Sequence, residues 1–282
     1  MAIGPMILGL GGTALLILLV ALGIGYRRWN RAVARLDAAV VAASEPAGPI
    51  AAHLLPDPVA RYLAGAIPEN GPPIRVARLR QSGTFLLGAG PDAWKRFSAH
   101  EVFRGDTPAF YWDARITVAP LLSVRVRDSY VGGQASMVGR LAGVIAVVDE
   151  AGGEALARGA LARYLAEAVW FPTRLAVGAG LSWASFDETS ARATLEDNGI
   201  AVSLTFSFDE RGDVVGVSGI RPREVDGEYV ETPWVGRFAE HRLVGGFRIP
   251  TYGEVAWVID GVETTYWRGT VTETAFTLHP RS

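Results

Sequence analysis

Val202, Leu204, Phe206 and Phe208 alternate with Ala201, Ser203, Thr205 and Ser207, and a period of two recurs from Ile74 almost to the carboxyl end. Leu122, Val124 and Val126 alternate with Ser123, Arg125 and Arg127. Phe110, Trp112, Ala114, Ile116 and Val118 alternate with Tyr111, Asp113, Arg115 and Thr117. Successive side chains of a strand point to opposite sides, so each run predicts a strand with one apolar and one polar face. Further runs fall at 76–87, 94–104, 135–148, 191–196, 214–220, 253–258 and 264–272. Gly132-Gly133, Asp197-Asn198-Gly199, Asp226-Gly227 and Asp260-Gly261 separate them, and such residues enter the backbone conformations that tight hairpins need. About ten strands with hairpin-length gaps predict a mainly β (α+β) fold, a large curved antiparallel sheet or half-barrel.

Two stretches break the alternation. Asp57-Pro58 signals a helix start, and Val59, Tyr62, Leu63, Ala66 and Ile67 follow at helical spacing, predicting a helix near 57–67. Leu161, Tyr164, Leu165, Ala168 and Val169 make one side of a second helix near 153–169, which Trp170-Phe171-Pro172 ends. These two helices are the elements available to cover the apolar face of the sheet.

Ahead of them, Ile3 to Tyr26 carries no charged side chain. About twenty apolar residues at roughly 1.5 Å each match a hydrocarbon core of about 30 Å, predicting a transmembrane helix at 3–26. Arg27, Arg28, Arg31 and Arg35 follow it, with Tyr26 and Trp29 at the expected interface. The expectation is a single-pass protein of the cell membrane, its soluble domain on the cytoplasmic side. Residues 27–49 then form a juxtamembrane helix and a linker at Glu45-Pro46-Ala47-Gly48-Pro49, and residues 50–280 form the sheet domain.

Composition narrows the chemistry. The chain has 282 residues, a net charge of −2 and no cysteine. Disulfides, thiolate metal sites and a cysteine nucleophile are excluded, and the charge balance gives no footprint for nucleic acid. His53, His100, His241 and His279 lack metal-ligand spacing. No phosphate-cradling loop or nucleophile motif appears in the soluble part, so neither a cofactor nor a metal is expected, and no catalytic residue is assigned. Asp128 and Glu254 have no nucleophile beside them in the pattern.

Two polar and aromatic sets remain. Asp113, Arg115, Arg125 and Arg127 fall on the polar face of adjacent strands, where cross-strand pairing explains them. Arg115, Arg125 and Arg127 contact an anionic headgroup only if they reach a rim, since strict alternation turns them away from the apolar set. Eight tryptophans are many for the length, and a subset lining a concavity suits an apolar ligand. The expected pocket wall is Trp112, Ile116, Val124, Tyr164, Trp170, Phe171, Phe206 and Trp257. The leading expectation is thus a membrane-tethered protein holding a lipid or other apolar molecule between sheet and helices. The alternatives are an enzyme on a membrane-associated substrate, with Asp113 or Glu254 as acid/base, and a structural or assembly protein without ligand. No protein partner is indicated.

Several segments together resemble a bacterial membrane-anchored family with a domain of unknown function. They are Trp112-Asp113-Ala114-Arg115, Arg127-Asp128-x-Tyr130, Tyr164-Leu165-Ala166-Glu167-Ala168-x-Trp170-Phe171-Pro172, Phe247-Arg248-Ile249-Pro250 and Tyr266-Trp267-Arg268-Gly269. The resemblance spans roughly residues 70 to 275 and brings no activity with it. In layout alone the chain is distantly similar to the half-barrel of bacterial lipoprotein carriers and lipid-binding lipoproteins, which hold acyl chains between a concave sheet and helices. It departs from them in lacking a lipobox cysteine and in its predicted membrane helix.

Overall fold

The computed structural model describes residues 4–42, 48–69, 71–88, 90, 93–176 and 178–280, with the side chains of 4–15 and of 52 excepted. A first meander comprises β1 (Ile74–Leu86), β2 (Trp94–Arg104), β3 (Ala109–Ala119), β4 (Leu122–Val131), β5 (Gln134–Leu141) and β6 (Ile145–Ala151). The covering helix α3 (Glu154–Glu167) comes next, preceded in the chain by α1 (Gly4–Val40) and α2 (Asp57–Ala66). A second meander comprises β7 (Leu181–Ser185), β8 (Ser190–Asp197), β9 (Ile200–Phe208), β10 (Val214–Val225), β11 (Glu228–Val244), β12 (Phe247–Ile259) and β13 (Val262–Leu278).

The two meanders join into one 13-stranded antiparallel sheet where the first strand meets the last, in the order β6-β5-β4-β3-β2-β1-β13-β12-β11-β10-β9-β8-β7. At that seam Leu79 lies opposite Thr274 and Phe85 opposite Trp267. The alternation predicts ten strands and the sheet has thirteen for local reasons. The run at 135–148 turns at Ala142-Gly143, both at positive φ, and becomes β5 and β6. β7 is short. β11 carries Pro233, one residue outside its pairing with β12, which begins at Trp234 opposite Trp257.

Curvature has an identifiable source. Gly83, Gly269 and Gly253 form a row across β1, β13 and β12. A Cβ on Gly83 would lie 1.9 Å from the Arg268 carbonyl oxygen, and one on Gly269 would lie 2.4 Å from the Trp267 ring. Only glycine permits that approach, so the sheet bends here and the Trp267 ring folds over its own strand. Register shifts at Arg80/Gln81, Val255/Ala256 and Val214/Gly216 add local bends. The result is a half-barrel.

Its concave face is filled unevenly. At one end α2 and the 3-10 turns Ala168–Trp170 and Pro172–Ala176 pack against the sheet. Phe171 stacks on Phe103 with centroids 4.7 Å apart, and Tyr62 meets Phe208 at 5.9 Å. α2 begins after Pro56, without a side-chain cap, and Asp57 sits in its first turn, where a negative charge meets the helix dipole favourably. α3 crosses the middle of the concave face.

The leading helix lies on the other side of the sheet. Val40 joins Val76, Val102, Ala109 and Tyr111 in a second, outer core, with Val33 and Leu36 packed against it. Trp29 is buried, donates from Nε1 to Asp113 at 2.9 Å, and has the Arg125 and Arg127 guanidiniums each 4.9 Å from its ring centre. Arg78 bonds Asp37 at 2.6 Å and holds that carboxyl below its ordinary range. Arg75 and Arg104 donate to the carbonyls of Val41 and Val40 at the helix end, satisfying groups that the helix leaves unpaired.

This docking corrects the expectation of a single-pass cell-membrane protein with its soluble domain in the cytoplasm. Among the described residues no helix is long and apolar enough to cross a membrane. From Trp29 onward the leading helix is amphipathic and committed to the sheet. Residues 3–15 of the expected span and 45–47 of the expected linker lie outside the described side chains or residues.

Candidate functional site

Beyond α3, toward the other end of the half-barrel, the concave face is open. A cavity of about 410 Å³ lies between the helix and strands from both meanders. Its wall is mostly apolar and aromatic: Phe85, Trp112, Ile116, Trp234, Trp257 and Tyr266 are among its residues, and Leu156, Ala160 and Trp170 close it from the helical side. Trp257 and Tyr266 stack at 5.7 Å and form one flat panel.

Arg163 of α3 is the polar group of the wall with the most carboxyl contacts. Its guanidinium lies over Phe110 and Trp112, at 5.3 and 5.1 Å. It donates to Asp128 Oδ2 at 2.8 Å, Glu101 Oε1 at 2.7 Å and Glu167 Oε1 at 3.0 Å. Gln81 Nε2 donates to Glu101 Oε2 at 2.7 Å, and Trp112 Nε1 donates to Gln81 Oε1 at 2.9 Å. One cation thus serves three carboxyl groups. Burial, and then the nearby Glu167, push the Glu101 carboxyl well above its ordinary value; burial raises Glu167 as well. Burial opposes the Arg163 charge, yet Glu167, Glu101 and Asp128 outweigh it and hold the guanidinium protonated.

Nearer the opening, Tyr229 donates to Glu150 and bridges β11 to β6 across the two arms of the sheet. Glu224 accepts from the Gly227 backbone at 2.6 Å, and Glu254 lies 3.7 and 3.5 Å from Arg237 and Arg268. Every carboxylate of the cavity wall therefore has a donor. The cations are not balanced in the same way. Arg221 lies over Trp234 at 4.7 Å and Trp257 at 5.7 Å and donates from Nη2 to the Gly159 carbonyl at 2.8 Å. Arg223 makes one long contact, 3.5 Å, to the Thr232 hydroxyl. Among the described residues neither has a carboxylate partner. A separate depression of about 330 Å³ lies where β9 and β10 stop pairing after Leu204 and Gly219.

Of the residues expected in the pocket, Trp112, Ile116, Trp170 and Trp257 line the cavity. Four do not. Tyr164 is buried in the filled end and donates to the Arg104 carbonyl at 2.7 Å; Phe171 stacks on Phe103; Phe206 packs on Trp183 at 5.3 Å. Val124 is half-buried, one pleat beyond Val126, which does line the wall. Arg125 and Arg127 are on the outer face holding Trp29, and Arg115 there contacts the Ser123 hydroxyl at 3.1 Å. No headgroup contact with the cavity is open to them. Asp113 also faces outward, bound to Trp29 and to Arg125 at 2.9 Å.

Arg163, Glu101, Arg221 and Arg223 were missed in the sequence, although a signal was present. Glu101 shares its strand face with Phe97, Ala99 and Phe103, and Arg221 and Arg223 share theirs with Val217. A charge at an apolar position of the alternation marks a buried or cavity-facing group. Among the described residues no cluster of three or more His, Cys, Asp or Glu side chains is arranged to hold a metal ion.

The fold and cavity define a class: a mainly β half-barrel with an internal, largely apolar chamber under a helix. The chain belongs to the DUF6920 family, a family of unknown function, whose pattern it matches over residues 53–276. Among solved structures it is similar to a LolA superfamily protein from Nitrosomonas europaea, at 10% identity and a TM-score of 0.43, covering 79% of this chain and 93% of that one. It is also similar to a DUF1329 family protein from Desulfovibrio piger, at 10% identity and a TM-score of 0.42, covering 78% and 90%. A comparison with curated proteins finds no match.

Proposed function

We propose that this protein binds a lipid or other apolar molecule in the chamber between its concave sheet and α3. The observation that carries the reading is the cavity itself: about 410 Å³, aromatic-walled, and set apart from a core that is otherwise closely filled. That volume falls in the range of small-molecule sites, and an apolar hollow of this size in a folded chain is unfavourable unless something occupies it. Trp112, Ile116, Trp170 and Trp257 are the contacts we assign to the ligand. Rigid aromatic panels supply large contact area at small entropic loss, which suits a chain-like apolar guest.

The test is native mass spectrometry with solvent extraction on the full chain purified without detergent. A reproducible co-purifying apolar molecule, or uptake after incubation with an extract of membrane lipids, supports the reading. A mass that stays at that of the bare chain through both steps removes it.

A further inference from the structure

We propose that Arg221 and Arg223 form the seat for an anionic head, carboxylate or phosphate, of an amphiphile whose chain lies in the cavity. The inference rests on the binding reading and specifies its ligand. The two arginines stand two residues apart on the cavity face of β10, so their attachment points are about 7 Å apart, a span that one oxyanion group fits between two long side chains. Both line a chamber in which each carboxylate already has a donor, while they have no carboxylate partner of their own. Asp128, Glu150, Glu167, Glu224 and Glu254 outnumber Arg163, Arg221 and Arg223 along the wall, so the seat is local: two guanidiniums that no carboxylate engages.

Arg221 is also held in place. Its guanidinium lies on the Trp234 and Trp257 rings, and one nitrogen is fixed to the helix by the Gly159 carbonyl, while Nε is buried without a partner. A cation in apolar surroundings with an unused donor is unfavourable until an acceptor arrives. Guanidinium presents a planar fork that fits carboxylate and phosphate oxygens, and an aromatic bed holds that fork ready. Arg223 is two residues nearer the Asp226-Gly227 turn, so the head would sit toward the opening and the chain would run inward past Trp257 toward Ile116. Arg163 is unsuited to this role because three carboxyl groups already occupy it.

The test uses calorimetric titration of the full chain, cleared of ligand, with dodecanoate, dodecyl phosphate, dodecanol and dodecylammonium, each below its micelle concentration. The expected result is that at least one anionic probe binds roughly tenfold or more tightly than dodecanol and dodecylammonium, the difference a charge-assisted hydrogen bond supplies. Arg221→Met/Arg223→Met should bring that probe down to the dodecanol level and leave dodecanol unchanged. A preference for dodecanoate indicates a free acyl carboxylate; a preference for dodecyl phosphate indicates a phospholipid-type head. Should the double variant fail to fold, Arg223→Gln alone and the four-probe comparison on the unaltered chain still decide. Equal binding of dodecanol and the anions, or an anion affinity that the substitutions leave intact, overturns the anionic seat while the binding reading stands. Absence of binding by all four removes both.

Discussion

Arg163 is a single cation shared by Glu101, Asp128 and Glu167 inside a low-dielectric wall, and two consequences follow at the level of the side chain. Its removal leaves three carboxyl groups without the charge that balances them. Arg163→Met is expected to destabilise the fold by about 3–5 kcal/mol, measured by chemical denaturation. The second consequence concerns pH. Burial raises Glu101 well above its ordinary value of 4.5. Above that value the unfolded chain releases a proton that the folded chain retains. The contribution is fully present below it and is lost as pH rises, until folded Glu101 ionises too, at up to about 1.4 kcal/mol per pH unit. Glu101→Gln should flatten the fall in stability as pH rises above about 4.5. An unchanged slope would mean that Glu101 is ionised in the folded protein. The alternation of β2 already places Glu101 among apolar neighbours, but its partners Arg163 and Gln81 come from α3 and β1. Their convergence is invisible in the chain order.

At the scale of elements, α1 is the piece whose role changed most between sequence and structure. An uncharged run followed by arginines matches a membrane segment locally, yet the helix beyond it carries Trp29, Val33, Leu36 and Val40 along one stripe. That stripe fits the outer face of β2, β3 and β4, and Arg125 and Arg127 clamp it there. Trp29→Ala removes the clamped ring and should speed amide exchange in residues 29–40 while β1 and β13 keep their protection. Equal acceleration in both regions would place α1 in the main cooperative unit. The covering helices were legible because each has its apolar positions at helical spacing between strong stop signals. β11 was not, because Pro233 and scattered polar residues mask its alternation.

Across the whole molecule the two arms of the sheet meet at β1 and β13 on one side and are bridged by Tyr229 and Glu150 on the other. A bound guest should therefore stabilise the entire half-barrel, by about 2.7 kcal/mol at a hundredfold excess over Kd, read as a rise in Tm. Tyr229→Phe removes the bridge and should speed ligand release about fivefold in stopped-flow experiments, the equivalent of one hydrogen bond of about 1 kcal/mol. An unaltered release rate would place the exit elsewhere on the rim.

The antiparallel half-barrel, most of its strands and its two covering helices were legible in the chain order, because alternation, turn residues and helical spacing act between near neighbours. Which apolar residues fill the core and which face the chamber depends on the packing of distant segments. Phe206 and Trp257 both lie on the concave face of the same sheet. Phe206 is packed into the filled part and Trp257 borders the opening, because α2 and the 3-10 turns occupy one end and α3 alone spans the other. Where a helix crosses a sheet is set by the packing of distant segments, and no local pattern encodes it.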